Sequence, residues 1–557
     1  MVYSGHSQEW PCYKCDPHLY EVRPTTDFAN LYHHVEKNEK FAGQPPDPST
    51  DASQLPLNAP TTPPEILSAA SGPNVGFKVF QNTLAQLGGK GGGILLSAAT
   101  SILLARYLGS ERLGEYGAIF AYLSIYSWLV TFSLEQILAR DVSQRRSEAS
   151  ALLHTGSVVA CGFAFAAGII APLAAPLFGY SGPLRWLIAI AAVDLLIMPP
   201  FKMPGIIFQV DMRQWYAVGI GFARQILWLI AVALLAFSNA AFYKVIIART
   251  LCGVLEAAVT IYLIYRPGFL DGPRIFLKSD AARMMRDAFP LVLVNLAVNI
   301  YHRIDQVMLH KMSGDKVLGP YVIAVQLTEL FSALPVSLMS ALFPVLAVSA
   351  QDDVKFRRYL SESFRFLLVV AFAACALVTP VAHPFIELVY GKQFSATADL
   401  LIVLIWSEVP IFFGVALGNA LVSKGLQKYL PASAVAGAVV NVLINLAVIP
   451  RYGALGASWA TVVSYCLAGI FFLLVFRELR PLVLMGLRIS VVPFLLALGI
   501  TFGLGALTWA FWWKLLLAAI AYPAGAWLFG AVRNQDIQYA KQILQTNFNF
   551  LRSSSKK

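Results

Sequence analysis

From about residue 76 onward, apolar runs of roughly twenty residues alternate with short polar breaks. An α-helix rises about 1.5 Å per residue, so about 20 residues span a hydrocarbon core of about 30 Å. Fourteen such runs can be placed, the first centred near Ala98 and the last near Ala521. The period-two alternation of a membrane β-strand is absent, so the spans are helices. The pattern predicts an all-α polytopic membrane protein with about 14 transmembrane helices. Residues 1–75 break it. They are polar and Pro-rich ("GQPPDPSTDASQLPLNAPTTPPE"), lack a signal-peptide apolar region and hold too little apolar surface to form a core, so a disordered tail is expected.

An internal repeat divides the first twelve spans. "LGEYGAIFAYL" from Leu113 aligns with "LGPYVIAVQLT" from Leu318, each just after the first span of its half. "MRQW" from Met212 and "LQKY" from Leu426 each join a fourth span to a fifth. The repeat predicts two pseudo-symmetric six-helix lobes, 76–266 and 267–480. Two further spans occupy 481–532, and 533–557 form a C-terminal tail. Such repeats characterise transporters whose substrate path lies between the halves.

Composition sharpens this. The chain is 57% hydrophobic and 13% charged, with mean hydropathy +0.63. Its net charge of +11 lies in short clusters between spans, as orientation signals do, and no basic face for nucleic acid emerges. Lys and Arg are about twice as frequent in loops on the tail's side (Arg140, Arg145, Arg146, Arg283, Lys355) as in opposite loops (Arg106, Lys311, Arg451). Both termini are therefore expected in the cytoplasm. Cys161, Cys252, Cys375 and Cys466 lie within apolar runs and act as small hydrophobes. Cys12 and Cys15 form a CxxC near His18, His33 and His34, but a second ligand pair at zinc spacing is lacking, so no metal is assigned.

Ionisable and amide side chains inside spans are costly and mark candidate function. In the seventh span, Asn295, Asn299, His302 and Gln306 follow i, i+4, i+7, i+11 spacing and share a helix face, with Arg303 beside them. The eighth span carries Gln326, Glu329 and Ser332. Counting back from the turn near Gly314 sets Arg303 level with Gln326 and Glu329, predicting a polar surface facing a central cavity. Asp305 is expected at the outer headgroups. Glu135, Arg140, Asp194, Arg224 and Glu256 are candidates for ion coupling or inter-helix pairing, and Arg249 lies on the face of Glu256, two turns away. In the first span, "NTLAQLGGKGGGILL" lacks the GxxxxGK[ST] of a nucleotide loop. A helix starting near Leu84 puts Gln86, Lys90, Gly93 and Ser97 on one face, with Lys90 roughly 9 Å deep. The glycines permit close helix approach or bending.

"IYHRIDQVMLHKMSGDKVLGPYVIAVQLTELFSALPVSLMSALFPVL" resembles the seventh and eighth spans of polysaccharide flippases of the MOP (multidrug/oligosaccharidyl-lipid/polysaccharide) exporter superfamily. "LLARYLGSERLGEYG", "ELVYGKQFSATADLLIVL" and "NVLINLAVIPRYGALGASWATVVSY" fit the same family, and the resemblance runs from about Phe77 to Arg533. It implies the MATE-like fold of two lobes around a cavity. It also implies transport of undecaprenyl-pyrophosphate-linked oligosaccharide across the bacterial inner membrane, by alternating access coupled to an H+ or Na+ gradient. A transporter is implied, not an enzyme, with no cofactor. Its partners would be the lipid-linked oligosaccharide, membrane lipids, a polysaccharide polymerase and glycosyltransferases. Glu135, Arg140 and the Arg303–Ile304–Asp305 run match family patterns. Candidate substrate contacts are Gln86, Lys90, Asn295, Asn299, His302, Arg303, Gln326 and Glu329. Lys90 either reaches the cytoplasmic headgroups or meets the lipid pyrophosphate. Rival readings are a multidrug/cation antiporter, a lipid II flippase, and an O-antigen polymerase or ligase.

Overall fold

The computed structural model describes residues 75–533, apart from 212, 267–269, 271 and 508; it leaves out the side chains of 75–88, 90, 128, 198–201, 340, 341 and 344. The expected N-terminal tail with Cys12 and Cys15, segment 534–557, and the side chains of Gln86 and Lys90 therefore lie outside the described residues. All the regular structure within them is helical. The first half contains α1 (Val75–Thr131), α2 (Leu134–Gln144), α3 (Ala149–Ala174), α4 (Pro183–Ala191), α5 (Val193–Lys202), α6 (Ile206–Val210), α7 (Trp215–Phe237) and α8 (Phe242–Ile264). The second contains α9 (Lys278–Ser313), α10 (Asp315–Val348), α11 (Asp353–Val378), α12 (Ala382–Val389), α13 (Ala396–Leu404), α14 (Glu408–Ser423) and α15 (Tyr429–Cys466). Helices α16 (Arg480–Gly505) and α17 (Phe511–Leu528) follow.

Among the described residues, ten helical stretches are long and apolar enough to cross a membrane. The expected fourteen would add the second arms of α1 and α15, the α4–α5 pair and α9. The first two arise because α1 turns at Gly109 and α15 at Gly453, so that each stretch holds two arms. Helix α9 is too polar to stand among the ten because it carries the polar stripe of the seventh span. Large apolar side chains such as Phe237 and Val348 point outward, 95% and 87% exposed. In water this would be a liability, whereas against lipid it is the solvated face.

The hairpin turns explain why the repeat was conspicuous in the sequence. "GSERLGEY" and "GDKVLGPY" each begin with a glycine in the same positive-φ conformation: Gly109 at φ 71°, ψ 179° and Gly314 at φ 82°, ψ 167°. An L side chain is strained there, so glycine lets the chain reverse within one residue. Five residues on, Gly114 lies against the Asp315 backbone and Gly319 against that of Ser110. A Cβ at either glycine would collide with a carbonyl. Leu113, Tyr116, Leu318 and Tyr321 are buried beside this contact, in a core that draws residues from both halves. The halves thus meet closely at the hairpin end of the bundle.

At the opposite end, where α9 begins, charge joins α2 to α9. Arg140 pairs with Asp287 at 3.0 Å and Arg145 with Asp280 at 2.6 Å. Arg283 reaches Asp141 at 2.7 Å and Asp280 at 2.6 Å. The basic residues that read as an orientation signal therefore also tie one half to the other.

Helix α1 runs from Val75, earlier than the start expected near Leu84, because nothing in "VGFKVFQNT" breaks a helix. Its glycine run packs on α7: Gly89 faces Val218, Gly92 faces Phe222 and Gly93 faces Gln225. Side chains at these glycines would push the helices apart, as small-residue interfaces in membranes require.

Candidate functional site

A cavity of about 580 Å³ lies between the halves. The first arm of α1 contributes Ser97, Thr100 and Ser101, and the second contributes Tyr116, Phe120 and Ser124. Asp194 of α5, Arg224, Gln225 and Trp228 of α7, and Arg249 of α8 complete the side formed by the first half. The second half contributes Arg303 and Gln306 from α9 and Gln326 and Glu329 from α10. Cations, carboxylates, amides, hydroxyls and aromatic rings thus converge on one volume, the composition of a site for a polar ligand.

Each charge has a distinct setting. Arg303 Nη2 lies 3.0 Å from Glu329 Oε1, level with it as the count from Gly314 anticipated; both side chains remain about one-third exposed. Gln326 Oε1 accepts a 2.6 Å hydrogen bond from Ser101 Oγ, bridging the halves across the cavity. Arg224 pairs with Glu256 at 2.9 Å, and Lys202 approaches the same carboxylate at 3.6 Å. Glu256 is only 9% exposed and stands behind the cavity lining.

Arg249 donates to the Tyr116 hydroxyl, and its guanidinium lies 4.0 Å above the Phe120 ring, with Trp228 at 6.0 Å. Among the described residues no carboxylate forms an ion pair with it, and its Nε is buried without a hydrogen-bond partner. Asp194 likewise has a buried Oδ1 without a partner and packs against Gly253.

Other residues singled out in the sequence lie elsewhere. Asn295 donates to Ser133 Oγ at 2.8 Å, tying α9 to the joint between α1 and α2. Asn299 donates back to the Asn295 carbonyl at 2.8 Å. His302 Nδ1 meets the Tyr465 hydroxyl of α15 at 3.1 Å. These three share the expected face with Gln306, but they are not in the cavity lining. The cavity opens on the Gln306–Arg303 flank of the stripe, and α15 covers the other.

Asp305 corrects an expectation. It is 3% exposed, not at the headgroups, because it is held inside by the Tyr321 hydroxyl and the Gln306 backbone N–H (2.8 Å), with Thr461 Oγ1 at 3.5 Å. Arg140 joins the inter-half network, whereas Glu135 is exposed in the first turn of α2. The aromatic shelf of Tyr116, Phe120 and Trp228 was not singled out in the sequence. The signal that would have found it is Arg249, a cation set within the apolar run of α8, which had to find partners on neighbouring helices.

These features define the class first: a polytopic helical membrane protein, built from two related halves around a polar cavity. A family model described as "Polysaccharide biosynthesis protein" matches residues 79–351, and the MatE model matches 290–447. Together these matches support a MOP-superfamily flippase family for the chain. Among curated proteins it is similar to the lipid II flippase MurJ of Bacillus subtilis, with 24% identity over 192 residues, 32% of this chain and 35% of that one. It is also similar to the "Probable flippase AglR" of Haloferax volcanii, with 26% identity over 185 residues, 32% of this chain and 38% of that one. The chain thus spans about a third of the length of the curated relatives it matches. The fold is that of the lipid II flippase MurJ in an inward closed conformation, at TM-score 0.66 and 15% identity, covering 81% of this chain and 98% of that one. An inward-facing multidrug resistance MATE family transporter follows at TM-score 0.55 and 14% identity, covering 71% and 96%.

Proposed function

We propose that the protein is a flippase that carries undecaprenyl-pyrophosphate-linked oligosaccharide across the bacterial cytoplasmic membrane for polysaccharide assembly. The observation that carries this reading is the make-up of the cavity. Three guanidiniums (Arg224, Arg249, Arg303) face it against two carboxylates (Asp194, Glu329), among amides, hydroxyls and aromatic rings. Guanidinium forks suit phosphate oxygens. Amides and ring faces suit sugar hydroxyls and C–H faces. A cation antiporter would invert this balance.

In this reading segments 76–266 and 267–480 are lobes that rock about the cavity, and 481–532 are appended. Both termini face the cytoplasm, where glycosyltransferases build the substrate; a polymerase receives it outside. The conformational cycle draws on an H+ or Na+ gradient. Deletion of the gene should trap lipid-linked oligosaccharide on the cytoplasmic face and abolish surface glycan. Intact glycan export with increased dye sensitivity would overturn the reading in favour of an antiporter. Loss of cell-wall precursors instead of surface glycan would point to a lipid II carrier.

A further inference from the structure

We infer that Glu329 is a built-in stand-in for the substrate's phosphate: it pairs with Arg303 and is displaced when the lipid pyrophosphate binds. This deepens the flippase reading and rests on it. The two other cavity arginines are engaged differently. Arg224 is held by a carboxylate that stands behind the lining, and Arg249 by a hydroxyl and aromatic faces. Among these three arginines, only Arg303 is paired to an acid that itself lines the cavity, with both groups about one-third exposed. A ligand entering the cavity meets that pair directly.

The pair is local to one hairpin, joining α9 to α10, so opening it does not require the halves to separate. Glu329 is also one turn from Gln326, which bridges to Ser101 of the first half. Displacing the carboxylate therefore disturbs the helix face that touches the other half. On the far side, one turn along α10, Ser332 donates to buried Glu408 at 2.7 Å. A carboxylate freed toward that side meets another acid, and return to Arg303 is favoured once substrate leaves. An internal competitor of this kind weakens resting affinity and favours release, as a carrier needs.

The test is a binding measurement on the full chain in nanodiscs with radiolabelled undecaprenyl pyrophosphate as probe. Glu329→Gln should tighten binding about tenfold, about 1.4 kcal/mol, and slow export of glycan in cells. Removing any nearby negative charge favours an anion, so the decisive measurement is a double-mutant cycle. In an Arg303→Gln background, Glu329→Gln should change affinity less than about twofold. Asp194→Asn, which removes a cavity charge not paired with Arg303, should give the same effect in both backgrounds. An equal gain from Glu329→Gln with and without Arg303, or no gain at all, would overturn the stand-in role. Failure of the wild-type protein to bind the probe would overturn the flippase reading itself. Size-exclusion profiles matched to wild type show that each variant is folded.

Discussion

Arg283 is the hub of the charged network between α2 and α9, and its removal should loosen that end of the bundle. Its guanidinium reaches Asp141 at 2.7 Å, Asp280 at 2.6 Å and Asp287 at 3.8 Å. Asp141 is 3% exposed, and its only other ion-pair partner among the described residues is Arg140 at 2.9 Å. The contacts to the more exposed Asp280 and Asp287 contribute little, up to about 1 kcal/mol each. The bond to buried Asp141 is charge-assisted and contributes roughly 1.5–3 kcal/mol. Taking about 2 kcal/mol for the part that spans the halves, Arg283→Ala should shift an open–closed equilibrium at this end by about thirtyfold. The assay introduces Ser97→Cys, a cavity-lining position, into a cysteine-free chain and follows labelling by a membrane-impermeant maleimide added on the side where α9 begins. Labelling should accelerate by about that factor. Arg358→Ala, which breaks an exposed pair with Glu362, serves as the control and should change nothing. Unchanged labelling with a lowered melting temperature would refute the reasoning, for the network would then support the fold without closing the cavity.

Other expectations rest on single contacts. Gly319→Val drives a side chain into the Ser110 carbonyl and should cost about 1–3 kcal/mol, read as a fall in thermal midpoint in detergent; Gly114→Val should match it. Asp305→Ala leaves the Tyr321 hydroxyl without its buried acceptor and should cost about 1–3 kcal/mol, while Asp305→Asn should recover most of that in the same measurement. Gly92→Leu forces α1 away from Phe222 of α7 and should reduce surface glycan without changing the charge of the cavity. Arg249→Gln should abolish glycan export in a protein of normal abundance, with Arg249→Lys intermediate because an ammonium lacks the planar fork.

The spans, the repeat and the Arg303–Glu329 level were legible because they depend on quantities carried along the chain: run length, motif spacing and distance from a turn. The directions of individual side chains were not. Helical periodicity groups Asn295, Asn299, His302 and Gln306 on one face, yet says nothing about which neighbour that face meets. The answer came from α15, more than a hundred residues away, which claims His302 through Tyr465. Asp305 was misplaced for the same reason, since its partners Tyr321 and Thr461 lie on two other helices. The glycine run around Lys90 marked a close helix approach, and Gly89, Gly92 and Gly93 do pack on another helix; that the partner is α7 was not written along the chain.

The reciprocal contact at the hairpin end has the form of an interface between identical subunits. Ser110 and Asp315 occupy the same place in the repeat, as do Gly114 and Gly319, so each half offers the other the same patch. That is an isologous contact, the kind made about the twofold axis of a homodimer. The bundle therefore carries within one chain a contact of the form that two identical subunits would make. The chemistry beside it is not matched. Tyr116 receives a hydrogen bond from a cation, Arg249, while its counterpart Tyr321 gives one to an anion, Asp305. The symmetry holds where backbones touch and fails where charges lie, so two matching halves enclose one lopsided cavity.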